Sequence, residues 1–180
     1  TRLLAILGSL PLLEPATPQE AQDMLVEAFE LSERFGVPVI VRETRALALA
    51  KGPVWPAAPR DVVSYPYSRE PNRWVSWPGN VVPNHRALDA KLAAIRDELE
   101  SSRWNWTEGT GHAGIVACGV AYAKLIETLG REVLDRFHVL KLSTFNPLPV
   151  DACGAFLSRV DRALVFEDNE PYVEQSLQAA

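Results

Sequence analysis

The stretch Ile115-Val116-Ala117-Cys118, followed directly by Gly119, decides the fold of this chain. A continuous apolar run of this length predicts a strand that is covered on both faces, as in a parallel sheet. Gly119 then turns the chain into a helix that we expect to run to about Leu129. A buried strand, a tight turn and a helix make half of a β–α–β unit, so the stretch predicts an α/β protein.

The same alternation continues toward the C-terminus. Val139–Leu142 and Ala163–Phe166 are two further apolar runs of strand length, and Val150–Ser158 between them predicts a short helix. Strands that alternate with helices are joined by right-handed parallel crossovers. We therefore predict that both runs lie beside Ile115–Cys118 in a mostly parallel sheet with helices on both faces.

The N-terminal part contains a second α/β signal. Thr17-Pro18-Gln19-Glu20 predicts a helix start, because Thr17 can cap, proline suits the first helical position and Glu20 completes a capping box. Apolar residues then recur at helical spacing until Gly36, which fits the helix end. The run Val37–Val41 that follows predicts a buried strand.

The middle of the chain has a different composition. Seven of the 14 prolines lie between Pro53 and Pro83, and all five tryptophans lie between Trp55 and Trp106. Such sequence predicts an extended connection that packs on neighbouring domains. Within it we expect short strands at 62–65 and 73–77 and an amphipathic helix at about 84–100, opened by Asn84.

The overall composition excludes several classes of protein. The chain has 18 Lys and Arg against 23 Asp and Glu and no basic run, which argues against nucleic-acid binding. No apolar run approaches the roughly 20 residues that span a membrane. Two cysteines cannot form a disulfide framework or hold an iron–sulfur cluster, and they favour a reducing, cytoplasmic environment. The three histidines are far apart, so we expect no metal site.

Gly109-Thr110-Gly111-His112-Ala113-Gly114 matches the G-x-G-x-x-G pattern of dinucleotide-binding proteins. That chemistry requires the glycines between a strand and a following helix, whose N-terminus meets the pyrophosphate. Here the glycines precede the predicted strand at Ile115. We therefore predict a glycine-rich entry loop and no NAD binding.

Three short segments follow predicted strands, where ligands and partners collect in open parallel sheets. The turn at Cys118 and Gly119 could bind an anion or a partner's carboxylate through free helix amides, or it could be a close-packed turn with an inert thiol. The acidic run that includes Glu167, Asp168 and Glu170 could bind a cation or a basic partner surface. Alternatively, Asp168 or Asn169 caps the next helix. We group the five candidates as a partner or anion edge, formed by Cys118, Gly119, Glu167, Asp168 and Glu170.

The third segment is Arg42-Glu43-Thr44-Arg45, which follows the predicted strand Val37–Val41. Polar residues at the carboxyl end of a strand are functional more often than elsewhere. Ordinary solvated charges are the alternative.

Several segments, taken in order, resemble the alpha subunit of indolepyruvate:ferredoxin oxidoreductases, a family of thiamine diphosphate-dependent enzymes. The resemblance covers nearly the whole chain. It is carried by Pro11–Ala21, Ala28–Glu33, Val37–Arg42 with Thr44 and Arg45, Trp77–Asn80, the His85 helix, Gly114–Tyr122, Asn146–Pro149 and Val160–Pro171.

The resemblance implies a function for the parent protein. Members of the family oxidatively decarboxylate arylpyruvates with thiamine diphosphate and Mg²⁺, pass electrons through iron–sulfur clusters to ferredoxin, and release an acyl-coenzyme A. It implies that residues 1–50 end a pyrimidine-binding domain, that 51–109 form the connection, and that 110–180 form a transketolase C-terminal-like domain. Arg42, Thr44 and Arg45 are then the candidates closest to the active site.

The resemblance also leads us to expect an internal fragment. The Gly-Asp-Gly metal motif, the activating glutamate and the cysteine-rich tail of the family have no counterpart in this chain. We therefore expect no cofactor on the chain alone, and partners in other domains of the parent chain, a beta subunit and ferredoxin. The alternative is a non-catalytic α/β module that binds a partner or an anion through the edge defined above.

Overall fold

The computed structural model describes residues 1–58 and 69–179. The predicted strand at 62–65 lies outside the described residues. Within them the helices are α1 (Arg2–Leu7), α2 (Pro18–Phe35), α3 (Arg45–Ala48), α4 (Pro71–Trp74), α5 (Pro78–Glu100), α6 (Val120–Leu129), α7 (Val133–Arg136), α8 (Val150–Leu157) and α9 (Tyr172–Ala179). The strands are β1 (Leu12–Leu13), β2 (Ile40–Val41), β3 (Trp106–Glu108), β4 (Ala113–Cys118), β5 (Phe137–Leu142), β6 (Thr144–Asn146) and β7 (Arg162–Phe166).

The larger sheet has four strands in the order β3-β5-β4-β7. β4 pairs in parallel with β5 on one side and with β7 on the other, while β3 is antiparallel to β5. The three strands that the sequence predicted side by side are therefore neighbours, and the α/β assignment is confirmed. Buried Val116 and Cys118 face a cluster with α8 and α9, whereas Ile115 and Ala117 face a cluster with α6 and α7. Helices thus cover both faces.

A smaller sheet joins distant parts of the chain. β1 pairs in parallel with β2 and antiparallel with β6, giving the order β2-β1-β6. The strand in the predicted run Val37–Val41 is confined to Ile40 and Val41, because Pro38 has no N–H to donate to a neighbour. The sheet links β1 and β2, from residues 1–50, to β6, from residues 110–180.

The connection between these parts is helical where the sequence predicted a strand. The prediction at Arg73 to Trp77 is wrong, since Pro71 opens α4 at its first turn and no strand lies beside this segment among the described residues. The long helix also begins earlier than Asn84. It starts at Pro78, and Pro83 inside it loses only one backbone hydrogen bond.

The glycine-rich loop enters β4, as the sequence predicted, and no helix follows it directly. A Cβ on Gly109 would lie 2.1 Å from the Phe137 carbonyl oxygen, and one on Gly111 would lie 2.0 Å from the Arg136 carbonyl oxygen. These glycines therefore allow the loop to pass against the backbone at the start of β5. The absence of NAD binding stays a prediction.

Candidate functional site

The strands of both sheets bring charged residues together at their carboxyl ends. Glu14 directly follows β1, Arg42 follows β2, Gly119 follows β4 and Glu167 follows β7. Arg2 donates hydrogen bonds to the side chains of both Glu14 and Glu167, and Arg42 donates directly to Glu14. We call the set of Arg2, Glu14, Arg42, Glu167 and Asp168 the strand-end cluster.

Arg2 lies at the centre of the strand-end cluster. Its Nε and Nη2 donate to the two carboxylate oxygens of Glu14, at 2.7 and 2.9 Å, and its Nη1 donates to Glu167. The guanidinium carbon also lies 4.4 Å from the ring centroid of Phe145. Burial alone would lower the pKa of Arg2, but the acidic groups around it, Glu14 before Glu167, raise it overall. Arg2 is therefore a buried, permanently charged residue.

Arg42 closes the cluster on the side of the smaller sheet. Its Nη1 donates to Glu14 at 3.0 Å and its Nη2 to Asp168 at 3.5 Å. Two guanidinium groups thus face three carboxylates, with Arg2 and Glu14 almost fully buried and Asp168 at the solvent boundary. The arrangement neutralises most of the charge internally and joins both sheets to helix α1.

Glu167 has a second role at the start of α9. Its carboxylate accepts hydrogen bonds from the backbone N–H groups of Val173, at 3.0 Å, and Glu174, at 3.1 Å. These are donors that a helix N-terminus leaves free. The sequence prediction of a cap in this acidic run was correct in kind, but Glu167 provides it in place of Asp168 or Asn169.

The turn at Cys118 and Gly119 is occupied by the chain itself. Gly119 has φ of +51°, and a Cβ there would lie 3.2 Å from Cβ of Glu14 and 3.3 Å from its carboxylate. The thiol of Cys118 is buried beside it, and burial raises its pKa well above the ordinary value. The carboxylate beside this turn thus belongs to Glu14 of the chain itself, and the Cys118 thiol is protonated and shielded from solvent. A role of Cys118 and Gly119 toward a ligand stays a prediction.

The remaining predicted candidates lie at the rim. Thr44 is buried and caps α3 by accepting a hydrogen bond from the Leu47 N–H at 3.3 Å. Arg45 is exposed at the start of α3, and Glu170 is exposed next to the strand-end cluster. Of the arginines in the Arg42–Arg45 segment, Arg42 is bound internally and Arg45 is open to solvent.

Sequence reasoning missed Arg2 and Glu14, which lie far from the residues that they bind. It also missed Lys141, which is fully buried in β5 and donates to Glu20 at 2.9 Å and to the Trp104 carbonyl at 3.1 Å. Burial lowers the pKa of Lys141, and Glu20 partly offsets that effect. A single cation inside an apolar strand, or between apolar helix residues, is the signal that points to such internal pairs.

Residues 1–58 and 69–179 contain no group of three or more His, Cys, Asp or Glu side chains placed to hold a metal ion. None of their helices is both long enough and apolar enough to cross a membrane.

Comparison with known proteins gives matches over nearly the whole chain. It is 35% identical over 185 residues to indolepyruvate oxidoreductase subunit IorA of Pyrococcus abyssi, which covers 98% of this chain and 28% of the relative. It is 36% identical over 175 residues to the same subunit of Archaeoglobus fulgidus, covering 96% of this chain and 28% of the relative. No family-level profile matches the chain.

A solved structure of 2-oxoglutarate:ferredoxin oxidoreductase from Magnetococcus marinus matches with a TM-score of 0.44 and 19% identity, over 58% of this chain and 19% of that one. That TM-score is too low to establish a common fold. The sequence relatives are the informative comparison, and the chain spans less than a third of their length. Nearly the entire chain is thus similar to one segment of indolepyruvate oxidoreductase IorA subunits.

Proposed function

We propose that the chain is a structural, inter-domain segment of a thiamine diphosphate-dependent oxidoreductase. The parent enzyme would decarboxylate indolepyruvate and other arylpyruvates, reduce ferredoxin through iron–sulfur clusters and release the acyl-coenzyme A. The observation that carries this proposal is that 98% of the chain matches a relative named indolepyruvate oxidoreductase subunit IorA. Other domains of the parent chain and a beta subunit would be its partners, in the cytoplasm.

The division into domains belongs to the same proposal. Residues 1–50 would end a pyrimidine-binding domain, 51–109 would connect, and 110–180 would form a transketolase C-terminal-like domain. The parallel strands β4, β5 and β7 with helices on both faces support the last assignment. The strand-end cluster then ties the first and last parts together, which suits a segment whose task is to hold domains in place.

The described residues do not fit a site for thiamine diphosphate and Mg²⁺. Magnesium requires free oxygen ligands, mainly carboxylates and the diphosphate itself. The carboxylates of Glu14 and Glu167 at the strand ends are already bound by Arg2, and Glu167 also caps α9. We therefore assign no catalytic step to them and expect no cofactor on the 180-residue chain.

Isothermal titration of the purified chain with thiamine diphosphate and Mg²⁺, beside a viologen-reduction assay with indolepyruvate, tests that expectation. We expect negligible heat and no reduction. Tight binding or measurable turnover would contradict the structural role.

The proposal for the parent is tested separately. The complete coding region that contains this segment, purified anaerobically with any co-encoded subunit, should reduce viologen in the presence of indolepyruvate, coenzyme A, thiamine diphosphate and Mg²⁺. If the flanking coding sequence contained neither a Gly-Asp-Gly motif nor a cysteine-rich tail, that result would contradict the proposal for the parent enzyme.

Arg42, Thr44 and Arg45 are proposed to lie close to the active site of the parent. Arg45 is the best candidate to face a substrate carboxylate, because Arg42 is engaged by Glu14 and Asp168. In the parent enzyme, Arg45→Gln should raise KM for the 2-oxoacid with little change in stability. Arg42→Gln should instead lower the unfolding temperature. Equal effects of both variants on KM would contradict this division of roles.

A second candidate function is a non-catalytic module that binds a partner at the edge formed by β7 and α6. A groove of about 410 Å³ lies there, and its lining includes Lys124, Leu125, Phe166 and Asp168. The flanking coding sequence separates the two candidates, since a free-standing module would lack the catalytic domains. Binding of an external anion at the Gly119 turn is disfavoured, because the carboxylate of Glu14 already lies beside that turn.

A further inference from the structure

A second groove, of about 450 Å³, lies where the end of α2 meets α4 and α5. Its apolar lining consists of Leu10, Val37, Pro38, Trp74, Ala87 and Leu88. Its charged groups are Arg73 and Lys91, and Asn84 adds a polar amide. A largely apolar concavity with a few convergent polar groups is typical of small-molecule sites.

The two cations of the groove are close neighbours. Arg73 Nη2 lies 2.8 Å, and Lys91 Nζ 3.6 Å, from the point where a Cβ on Gly36 would stand. Like charges near one point repel each other. The C-terminus of α2 offsets part of this repulsion, since Lys91 donates to the Gly36 carbonyl at 3.3 Å and carbonyls at a helix end attract cations.

Arg73 makes a different contact. Its guanidinium lies over the ring of Trp74, with the central carbon 4.7 Å from the centroid. Within residues 1–58 and 69–179, no carboxylate pairs with Arg73 or Lys91. The described residues that line the groove therefore provide two positive charges and an apolar wall, and none of them is acidic.

We propose that this groove binds a small monocarboxylate with an apolar body, through Arg73 and Lys91. An Arg fork matches the two oxygens of a carboxylate, and Lys91 adds a second charge on the same side. The apolar part of the ligand lies against Leu10, Val37 and Leu88. The site is separate from the strand-end cluster, and it does not depend on the proposed function of the parent.

Calorimetric titration of the 180-residue chain with phenylacetate tests the proposal, with phenylacetamide as a neutral ligand of the same shape and inorganic phosphate as an anion without an apolar body. Phenylacetate should bind saturably and at least about tenfold more tightly than either comparator, because only it uses both the charges and the wall. No saturable binding would overturn the proposal. Equal binding of phenylacetamide, which would show an apolar surface only, or of phosphate, which would show a general anion site, would overturn it as well.

Variants locate the site. Arg73→Gln and Lys91→Gln should each weaken phenylacetate binding about tenfold, whereas Arg96→Gln, on the exposed face of the same helix as Lys91, should leave it unchanged. The three side chains are exposed or half-buried, so the variants should keep the wild-type unfolding midpoint. Wild-type affinity in both groove variants, or an equal loss in Arg96→Gln, would place binding elsewhere and overturn the assignment.

Discussion

Arg2 and Glu14 form a two-hydrogen-bond ion pair in the interior of the protein, with N–O distances of 2.7 and 2.9 Å and relative exposures of 1% and 2%. The pair connects the first helix to the end of β1. Through Glu167 it also reaches the end of β7, 165 residues along the chain from Arg2. A buried pair of this kind is costly to break, because the remaining partner keeps its charge without water to solvate it.

Arg2→Met is therefore expected to lower the free energy of unfolding by about 3–5 kcal/mol, measured by urea denaturation. Arg34→Met is the matched control, since its pair with Glu98 lies at the surface and should contribute no more than about 1 kcal/mol. The double variant Arg2→Met/Glu14→Gln should recover part of the loss, because the almost fully buried side chain of residue 14 is then neutral. A loss in Arg2→Met as small as in Arg34→Met would show that the pair does not stabilise the fold.

The buried Lys141 makes a prediction about alkaline pH. Its pKa in the folded protein is lowered by burial, although Glu20 offsets part of the effect, so the folded state releases this proton at a lower pH than the unfolded chain does. Between the lowered pKa and the ordinary value of 10.5, the unfolded chain binds more protons, and the contribution of Lys141 to stability rises with pH.

The measurement is the free energy of unfolding of wild type minus that of Lys141→Met, as a function of pH. This difference should increase as the pH rises through that window. Subtraction of the variant removes the contributions of Tyr122 and Tyr172, whose pKa values are raised mainly by burial and act in the opposite direction. Lys124→Met, which removes an exposed lysine, is the matched control for the loss of a lysine side chain. A flat or falling difference for Lys141→Met would contradict the buried position.

Two glycines should respond in opposite ways to alanine. Gly111→Ala should destabilise strongly, because the new Cβ would lie 2.0 Å from the Arg136 carbonyl oxygen and the loop must move. Gly154→Ala, inside α8 with no atom within 4 Å of the new Cβ, should stabilise by about 1 kcal/mol through helix propensity. Shifts of the thermal midpoint in the same direction for both would show that the loop does not pack as described.

Two valines in neighbouring strands test how each strand is covered. Val116 on β4 is fully buried, and Val116→Asp should cost several kcal/mol, since an unpaired charge cannot be solvated there. From sequence we expect Val165 to be equally buried, but β7 lies at the sheet edge and Val165 is half-buried. Val165→Asp should therefore cost only about 1–2 kcal/mol. Equal denaturation midpoints for the two variants would contradict this edge assignment.

Much of the candidate site could be located by sequence, but its internal pairing could not. The strand-to-helix turn at Gly119 and the charged ends at Arg42 and Glu167 follow from the rule that polar groups collect where parallel strands end. That rule does not say which charges neutralise each other. Glu14, which sequence reasoning assigned no role, is the residue that lies against Gly119 and binds both arginines.

The sequence by itself determined the α/β class, the three parallel strands and the capping box of α2, because these depend on apolar periodicity and on side chains within four residues of each other. Thr17 indeed caps the Glu20 N–H at 3.1 Å, as that local pattern requires. Only the tertiary structure decided that Glu20 also binds Lys141, and that Arg2 meets Glu167. Such contacts depend on the path of the whole chain, and burial of a charge is favourable only where that path delivers its partner.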